Sequence, residues 1–439
     1  MAPAAREEHL RRRDQARVGR ARAGGRHLRV LWLVVGPGIL VLLGENDGPS
    51  MLSYAATGAL YGVGFFLPFI VVTFAVAFVV QEMAMRLGVV TGVGQATLVF
   101  RRFGPRLGRS FLATLVLGNV LTLVAELVAV QAGLAYFGVP RPAAVAAGVA
   151  VVLAALGLRR YRAWERGAMI LALGNLCFVP AALLGHPHLG AVASALGTWS
   201  PLPPGSGAVV LTLVLADIGA TVTPWMVFFQ QAAVADKGLT AQDLRAGRID
   251  TAVGGGLAAL VAVATVVAAA ALFTHHGLTG GLSHSADFAT ALRPYLGHAG
   301  ATLFAVGLVE AGLLAAVMIS VASSYVVGEM SRQAHSLNRS FREAPLFYAT
   351  ALLAVAVAAA AVLVPGAPLL LVTVVANVVA TVLMPATVAC LLVLVNDRRL
   401  MGAHANGRAA NLVAGAVVAA LTAAVAAYLV LGLVRLAGG

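Results

Sequence analysis

Apolar runs of about 20 residues recur from one end of the chain to the other, separated by short polar connections. That is the length a helix needs to cross a bilayer. The pattern predicts eleven spans, roughly at 31–56, 60–87, 110–136, 142–158, 164–185, 206–235, 249–274, 299–327, 345–364, 367–395 and 409–435. Two spans are interrupted. The first contains GENDGPS, Gly44 to Ser50, where two carboxylates, an amide, a hydroxyl and a helix-breaking Gly48-Pro49 pair sit where apolar helix should continue. Five spans later, ADIGATVTPWMVFFQQ carries Gly219 and Pro224 near its middle. Breaks in matching positions of two halves are a mark of transporters built from inverted repeats. The expected architecture is an all-α polytopic membrane protein of five plus five helices and one more. Repeat one covers about 31–185, repeat two about 206–395 and the extra helix about 409–435, with 1–30 as a basic cytoplasmic tail.

Composition agrees with this pattern. Of 439 residues, 60% are hydrophobic and only 11% charged, with a mean hydropathy of +0.92; soluble domains are near a quarter charged. The net charge of +13 would suggest nucleic acid, but its placement suggests topology instead. If the N-terminus is cytoplasmic, segments 1–30, 86–109, 159–166, 237–248, 332–342 and 398–408 hold 27 of the 30 Lys and Arg residues. Only Arg141, Arg293 and Arg435 fall on the other side. This is the positive-inside distribution. It puts the protein in the cell membrane as a multi-pass chain with its C-terminus outside, and it leaves no role for nucleic acid. The arm LRRRDQARVGRARAGGRHLR reads as a disordered tail touching anionic lipid. A signal peptide is not expected, because no small-residue cleavage site follows the first apolar run. Cys177 and Cys390 lie inside spans and read as packing residues. His186 and His188 read as solvated. Oligomeric state is open, and a monomer is compatible with the pattern.

Irregular backbone at membrane depth is tolerated only where it lines a cavity or is buried in protein. Carbonyls released from the helical ladder, together with the negative end of a half-helix, suit a cation. Asp47, beside the first break, is therefore a candidate cation ligand, and the same side chain can also cap the second half-helix.

These stretches resemble the Nramp family of divalent metal transporters. GPGILVLLGENDGPS is similar to that family's first helix, in which Gly-Pro-Gly is followed after eight residues by Asp-Pro-Gly-Asn. Here Gly36-Pro37-Gly38 is followed after eight residues by Asp47. QEMAMRLGVVTG (81–92) resembles the end of the second helix, AELVAVQAGLAYFGVP (125–140) the third, GATVTPWMVFFQQAAV (219–234) the sixth and ANVVATVLMPA (376–386) the tenth. The resemblance implies the LeuT-type fold, with helices 1 and 6 broken and a metal site between them. Asp47 would be the principal carboxylate, Gly44 and Ala220 would offer carbonyls, and Asn377 would stand where the family often has glutamine. Mg2+ or Mn2+ would be the transported substrate, and no cofactor is expected.

The departures shape the expected chemistry. Asp-Pro-Gly-Asn becomes Asp47-Gly48-Pro49-Ser50, so a hydroxyl replaces the asparagine ligand. The family's methionine before Pro-His becomes Thr223, before Pro224-Trp225. Thioethers suit softer metals, whereas oxygens suit Mg2+ and Mn2+. The sequence therefore favours Mg2+ with Mn2+ also accepted, as in the Nramp-related magnesium transporters. The third-helix aspartate becomes Leu123, and the sixth-helix histidines become Trp225 and Gln230. Losing groups that exchange protons near neutral pH implies weak proton coupling or none. The membrane potential alone supplies a divalent ion with about 4.6 kcal/mol per 100 mV.

Other intramembrane groups are candidates for lining the pathway. Glu126 matches the family's third-helix glutamate. Glu45 is read as drawing ions through a vestibule, with its side chain pointing away from Asp47. Asp217 precedes the second break, and Trp225 reads as a wall. Glu310 has no family counterpart. Glu82 should pair with Arg86 at i+4. One alternative is an ordinary proton-coupled Mn2+/Fe2+ transporter; another is an amino acid or organic amine transporter on the same architecture. An enzyme is not expected, since no HExxH pair, nucleophile elbow or Cys/His cluster is present.

Overall fold

The computed structural model describes residues 13, 15–20, 22–25, 30, 33–158, 160–202, 207–274 and 287–438, the side chains at 208, 287, 370 and 431–438 excepted. Most of the expected 1–30 tail lies outside the described residues. Described residues are overwhelmingly helical. The first break separates α1 (Pro37–Glu45) from α2 (Gly48–Tyr61). α3 (Phe66–Thr91), α4 (Gln95–Ala135) and α5 (Arg141–Leu156) follow. The fifth span is α6 (Tyr161–Ala172), a 3-10 segment Leu173–Cys177 and α7 (Phe178–Leu184). After α8 (Leu189–Thr198), the second break separates α9 (Gly207–Gly219) from α10 (Pro224–Lys237). The remaining helices are α11 (Leu244–Thr274), α12 (Asp287–Met330), α13 (Pro345–Leu363), α14 (Leu369–Asn396), the short α15 (Arg398–Met401) and α16 (Arg408–Gly438).

Among the described residues, nine helical stretches are long and apolar enough to cross a membrane; Val209–Lys237, across the second break, is one of them. The other two expected spans are present as shorter pieces, the broken α1/α2 pair and α5. Two helices run past their expected spans because a kink is merged into them. α4 starts at Gln95 rather than near 110 and turns at Gly104 (φ 81°) before Pro105; α12 turns at Gly297 (φ 68°), just before the expected start at 299. Only glycine takes that backbone conformation readily.

α1 is held at its start by residues distant in sequence. Asp250 of α11, only 3% exposed, accepts from Gly36 N (3.0 Å), Gly38 N (2.6 Å) and Ile39 N (3.2 Å). Pro37 has no N–H and Leu40 N already bonds Gly36 O, so one carboxylate satisfies the first-turn donors that α1 cannot satisfy itself. Lys237, at the end of α10, donates to Val34 O (2.9 Å), Val35 O (3.0 Å) and Glu165 (2.7 Å). Glu82 pairs with Arg86 (3.1 Å), as its spacing predicts, and also with Arg248 (2.9 Å).

The described part of the basic arm departs from the disordered reading. Residues 15–20 are helical, Gln15 donates to Gly238 O (3.1 Å) and Arg22 pairs with Asp243 (2.7 Å). Val18 packs with Val34, Met85, Leu239 and Leu244. A counter-charge at Asp243 and an apolar seat for Val18 supply what a run of charge in the sequence does not show.

Candidate metal site at the two helix breaks

At the first break, Asn46 leaves helical geometry (φ −72°, ψ 54°) and Asp47 is extended (φ −78°, ψ 174°). Asp47 Oδ1 accepts from Ser50 N at 2.8 Å, which caps α2. Pro49 sits in the first turn, where a missing N–H is harmless. Gly48 N donates to Glu126 Oε2 at 2.9 Å, tying the break to α4. A Cβ on Gly48 would run into the Ala129 methyl and come within 3.2 Å of Glu126 Oε2. Glycine is therefore what lets α4 close on this turn. The Gly44 carbonyl belongs to the last turn of α1, whose carbonyls lack donors within the helix.

At the second break, residues 220–223 are non-helical and Thr223 is extended (φ −109°, ψ 153°), with Pro224 starting α10. Thr223 Oγ1 donates to Glu45 Oε2 at 2.8 Å and thereby joins the two breaks. Glu45 is fully buried there, so it does not stand in a vestibule, and it shares the junction with Asp47. Helix periodicity pointed it elsewhere, but α1 ends at Glu45 and the periodicity lapses. The Ala220 carbonyl accepts from Tyr54 OH at 2.7 Å, which leaves one of its lone pairs free. Gly219 packs directly on the Asn377 carbonyl, and Asn377 Nδ2 donates to Ser53 Oγ at 2.9 Å, bringing α14 against α2.

The junction also holds groups the sequence reading did not find. Thr223 N donates to Met226 Sδ at 3.4 Å, and Met318 Sδ packs against Gly44 beside the Trp225 ring. The neighbourhood is thus not purely oxygen. Trp225, read from the sequence as a wall, is buried with its ring beside Gly44. Gln230 lies along α10 against α11, its Nε2 3.5 Å from Thr251 Oγ1. Asp217 faces Thr57, whose hydroxyl is committed to the Ser53 and Tyr54 carbonyls.

The electrostatic pattern is uneven. Glu45 Oε1, Asp47 Oδ2, Ser50 Oγ, Glu126 Oε1 and both Asp217 oxygens are buried and, with the acids ionised, accept from no donor, while the Asp47 and Glu126 carboxyls lie against each other. Among the described residues, neither Lys nor Arg forms an ion pair with these acids. Three buried acids elsewhere are supplied with donors, whereas Glu310 keeps one oxygen without one. Asp236 accepts from Tyr325, Ser336 and Leu337 N, Glu329 from Thr97, and Asp250 from three backbone amides. A buried carboxylate oxygen without a donor is costly, and a bound cation removes that penalty. Among the described residues, no three His, Cys, Asp or Glu side chains form a cage by themselves. A cation here would be held by carboxylate together with hydroxyl, amide and carbonyl oxygens, as hard cations are.

Comparison with known proteins identifies the family and the fold. The family model described as natural resistance-associated macrophage protein-like (Nramp) matches residues 38–431. The chain is 30% identical over 418 residues to a protein of Ralstonia nicotianae named divalent metal cation transporter MntH, covering 89% of this chain and 88% of the relative. The fold is similar to a crystal structure of the Eremococcus coleocola manganese transporter, with TM-score 0.74 and 21% identity over 91% of this chain and 86% of that one. It is more distantly similar to Mhp1, a nucleobase-cation-symport-1 family transporter (TM-score 0.53, 13% identity, 83% of this chain and 78% of that one). The LeuT-type fold with broken first and sixth spans is therefore the architecture of this multi-pass membrane protein, and the chain belongs to the Nramp family.

Proposed function

We propose that this protein carries divalent metal cations across the membrane and holds the ion where the two broken spans meet. The observation that supports this most directly is the group of buried, donor-free oxygens of Glu45, Asp47, Ser50 and Glu126 at a junction with no basic partner. Asp47, Ser50 and Thr223, with the Gly44 and Ala220 carbonyls, are the proposed ligands, and Asn377 stands one turn away on Ser53. The relatives' names, divalent metal cation transporter and manganese transporter, are consistent with this reading. We propose Mg2+ and Mn2+ as the ions, because the residues replacing the family's asparagine and methionine are both hydroxyls. Coupling to protons is weak on this reading, since Leu123, Trp225 and Gln230 hold positions where the family carries titratable groups. Charge asymmetry supports a cytoplasmic N-terminus and an outside C-terminus, and the matching breaks support two repeats at about 31–185 and 206–395.

A proton-coupled Mn2+ transporter is the second reading. Glu126 favours it, because one of its oxygens bonds Gly48 N in the break and the other has no donor. One experiment separates the two. Protein in liposomes containing a Mg2+-sensitive dye is given an inside-negative potential, with Mn2+ competition and internal pH followed in parallel. Mg2+ uptake without acidification, abolished in Asp47→Ala, is the expected result. Mn2+ uptake alone, with acidification, would establish the second reading instead.

A further inference from the structure

Charge and apolar surface come together in a cleft away from the two helix breaks. It encloses about 990 Å3 between α14 and α16, beside the first part of α4. Leu392 and Val393 of α14 and Gly415 and Val418 of α16 line it within the two spans. Just past the end of α14, Asp397, Arg398 and Arg399 line it, and Arg102 joins them from α4. Asp397 Oδ1 accepts from Arg399 N at 2.9 Å, which caps α15 and commits that carboxylate to backbone. Among the described residues, the Arg102, Arg398 and Arg399 guanidiniums have no carboxylate partner.

The cleft has fixed walls and an open side. α4 packs so closely on α14 that a Cβ on Gly118 would come 3.0 Å from Leu383. Asn396 and Asn411 exchange two hydrogen bonds (2.8 and 2.7 Å), and Asn406 donates to Asn411 at 3.0 Å, which ties the end of α14 to the start of α16. A Cβ on Gly415 would meet nothing within 4 Å, so there is free space between the two helices. Val393 is 41% exposed and Leu412 75%, so the cleft opens on the outward apolar surface of two membrane spans.

We propose that this cleft binds an anionic phospholipid, its phosphate among Arg102, Arg398 and Arg399 and its acyl chains along Leu392, Val393 and Val418. Guanidinium forks match phosphate oxygens in pairs. Both arginine segments belong to the set that charge asymmetry places on the side of the N-terminus, and basic clefts between spans on that side suit anionic headgroups. Three guanidiniums against one carboxylate leave a positive surplus, which a headgroup with its own ammonium does not balance. A soluble phosphate would satisfy the guanidiniums and leave the apolar walls uncovered, whereas a lipid covers both. Among the described residues, α16 is the least buried of the membrane spans. A lipid wedged between it and α14 would therefore fasten α16 to the bundle.

The test is thermal unfolding of the full-length protein in a neutral detergent, with native mass spectrometry on the same samples. Phosphatidylglycerol is titrated against phosphatidylcholine, and inorganic phosphate at matched ionic strength is the third arm. In the wild type, phosphatidylglycerol alone should give a saturable rise in apparent melting temperature and a retained lipid. Arg398→Gln with Arg399→Gln removes two guanidiniums and should raise the half-saturating concentration about thirtyfold. Arg166→Gln with Arg342→Gln removes two exposed arginines outside the cleft and should leave it unchanged. Gly415→Leu fills the apolar part without altering charge and should weaken the response too; it takes the place of the arginine pair if that variant does not fold. An equal response to phosphatidylcholine, an equal loss in both arginine pairs, or a full response in Gly415→Leu would overturn the proposal. So would an equal rise with inorganic phosphate, which would make the cleft a site for a soluble anion.

Discussion

Replacing Asp250 by alanine removes the acceptor for Gly36 N, Gly38 N and Ile39 N in a buried setting. Each orphaned buried donor is worth about 1–3 kcal/mol, so the ceiling for three lies near 9 kcal/mol. Relaxation and water entry reduce it. With that reduction, a loss of about 3–5 kcal/mol is expected for the three orphaned amides. α1 has only nine residues, too few to be stable as an isolated helix, so the loss should appear as local opening of α1. At 1.4 kcal/mol per decade, amide exchange in the 37–45 peptide should accelerate roughly a hundred- to a few-thousandfold, while α3 amides stay protected. Hydrogen exchange with mass spectrometry reads both peptides at once. Glu45 lies at the far end of α1, about 13 Å from the anchor at 1.5 Å per residue. The loosened helix should carry Glu45 away from Thr223 and raise the KM for metal uptake. Exchange in 37–45 within threefold of wild type, with unchanged KM, would refute the view that Asp250 anchors α1.

Two further substitutions probe the junction. Thr223→Met places a thioether beside Glu45 and removes the 2.8 Å hydrogen bond; uptake competition should shift towards Mn2+ and Cd2+ and away from Mg2+, and an unchanged Mn2+/Mg2+ ratio would exclude Thr223 from ion selection. Gly48→Ala drives a methyl into Ala129 and should cost about 1–3 kcal/mol of stability. Ala129→Gly in the same chain should recover most of that loss in a double-mutant cycle of melting temperatures, and strict additivity would show that the two positions do not meet.

The two interruptions and the helical architecture were legible because they are local. A Gly-Pro pair inside an apolar run has few readings at membrane depth. Residue pairs that meet across long sequence separations were not legible. Asp250 sits in RID at the edge of an apolar run and reads as a solvated boundary residue, yet it faces Gly36 across 214 positions. Tyr54, which takes a lone pair of Ala220, and Met318, which packs on Gly44, look like ordinary interior residues until the helices are docked. Glu45 was misplaced for a related reason: its direction was inferred by extending a helix that ends at that residue. The two breaks are therefore read correctly as positions, while their contacts come only from tertiary packing.

The contrast among buried acids ties the fold to the function. This chain can satisfy a buried carboxylate when it has structural work for it: Asp250 has three backbone donors, Asp236 has two hydroxyls and an amide, and Glu165 has Lys237. Glu45, Asp47, Glu126, Asp217 and Glu310 each keep at least one oxygen without a donor, and none has a basic partner among the described residues. Three of these acids, Glu45, Asp47 and Glu126, lie in or directly on the broken first span, and Asp217 lies one turn before the second break. If they were structural, a neighbouring hydroxyl or amide would be expected to close each one, as happens elsewhere in the same chain. A site that must accept and release a positive ion cannot be closed in that way, because an internal donor strong enough to satisfy the carboxylate would also compete with the ion. Donor-free oxygens at broken helices are thus what the proposed transport site requires, and the Asp250 and Lys237 contacts at the start of α1 hold that buried junction in place.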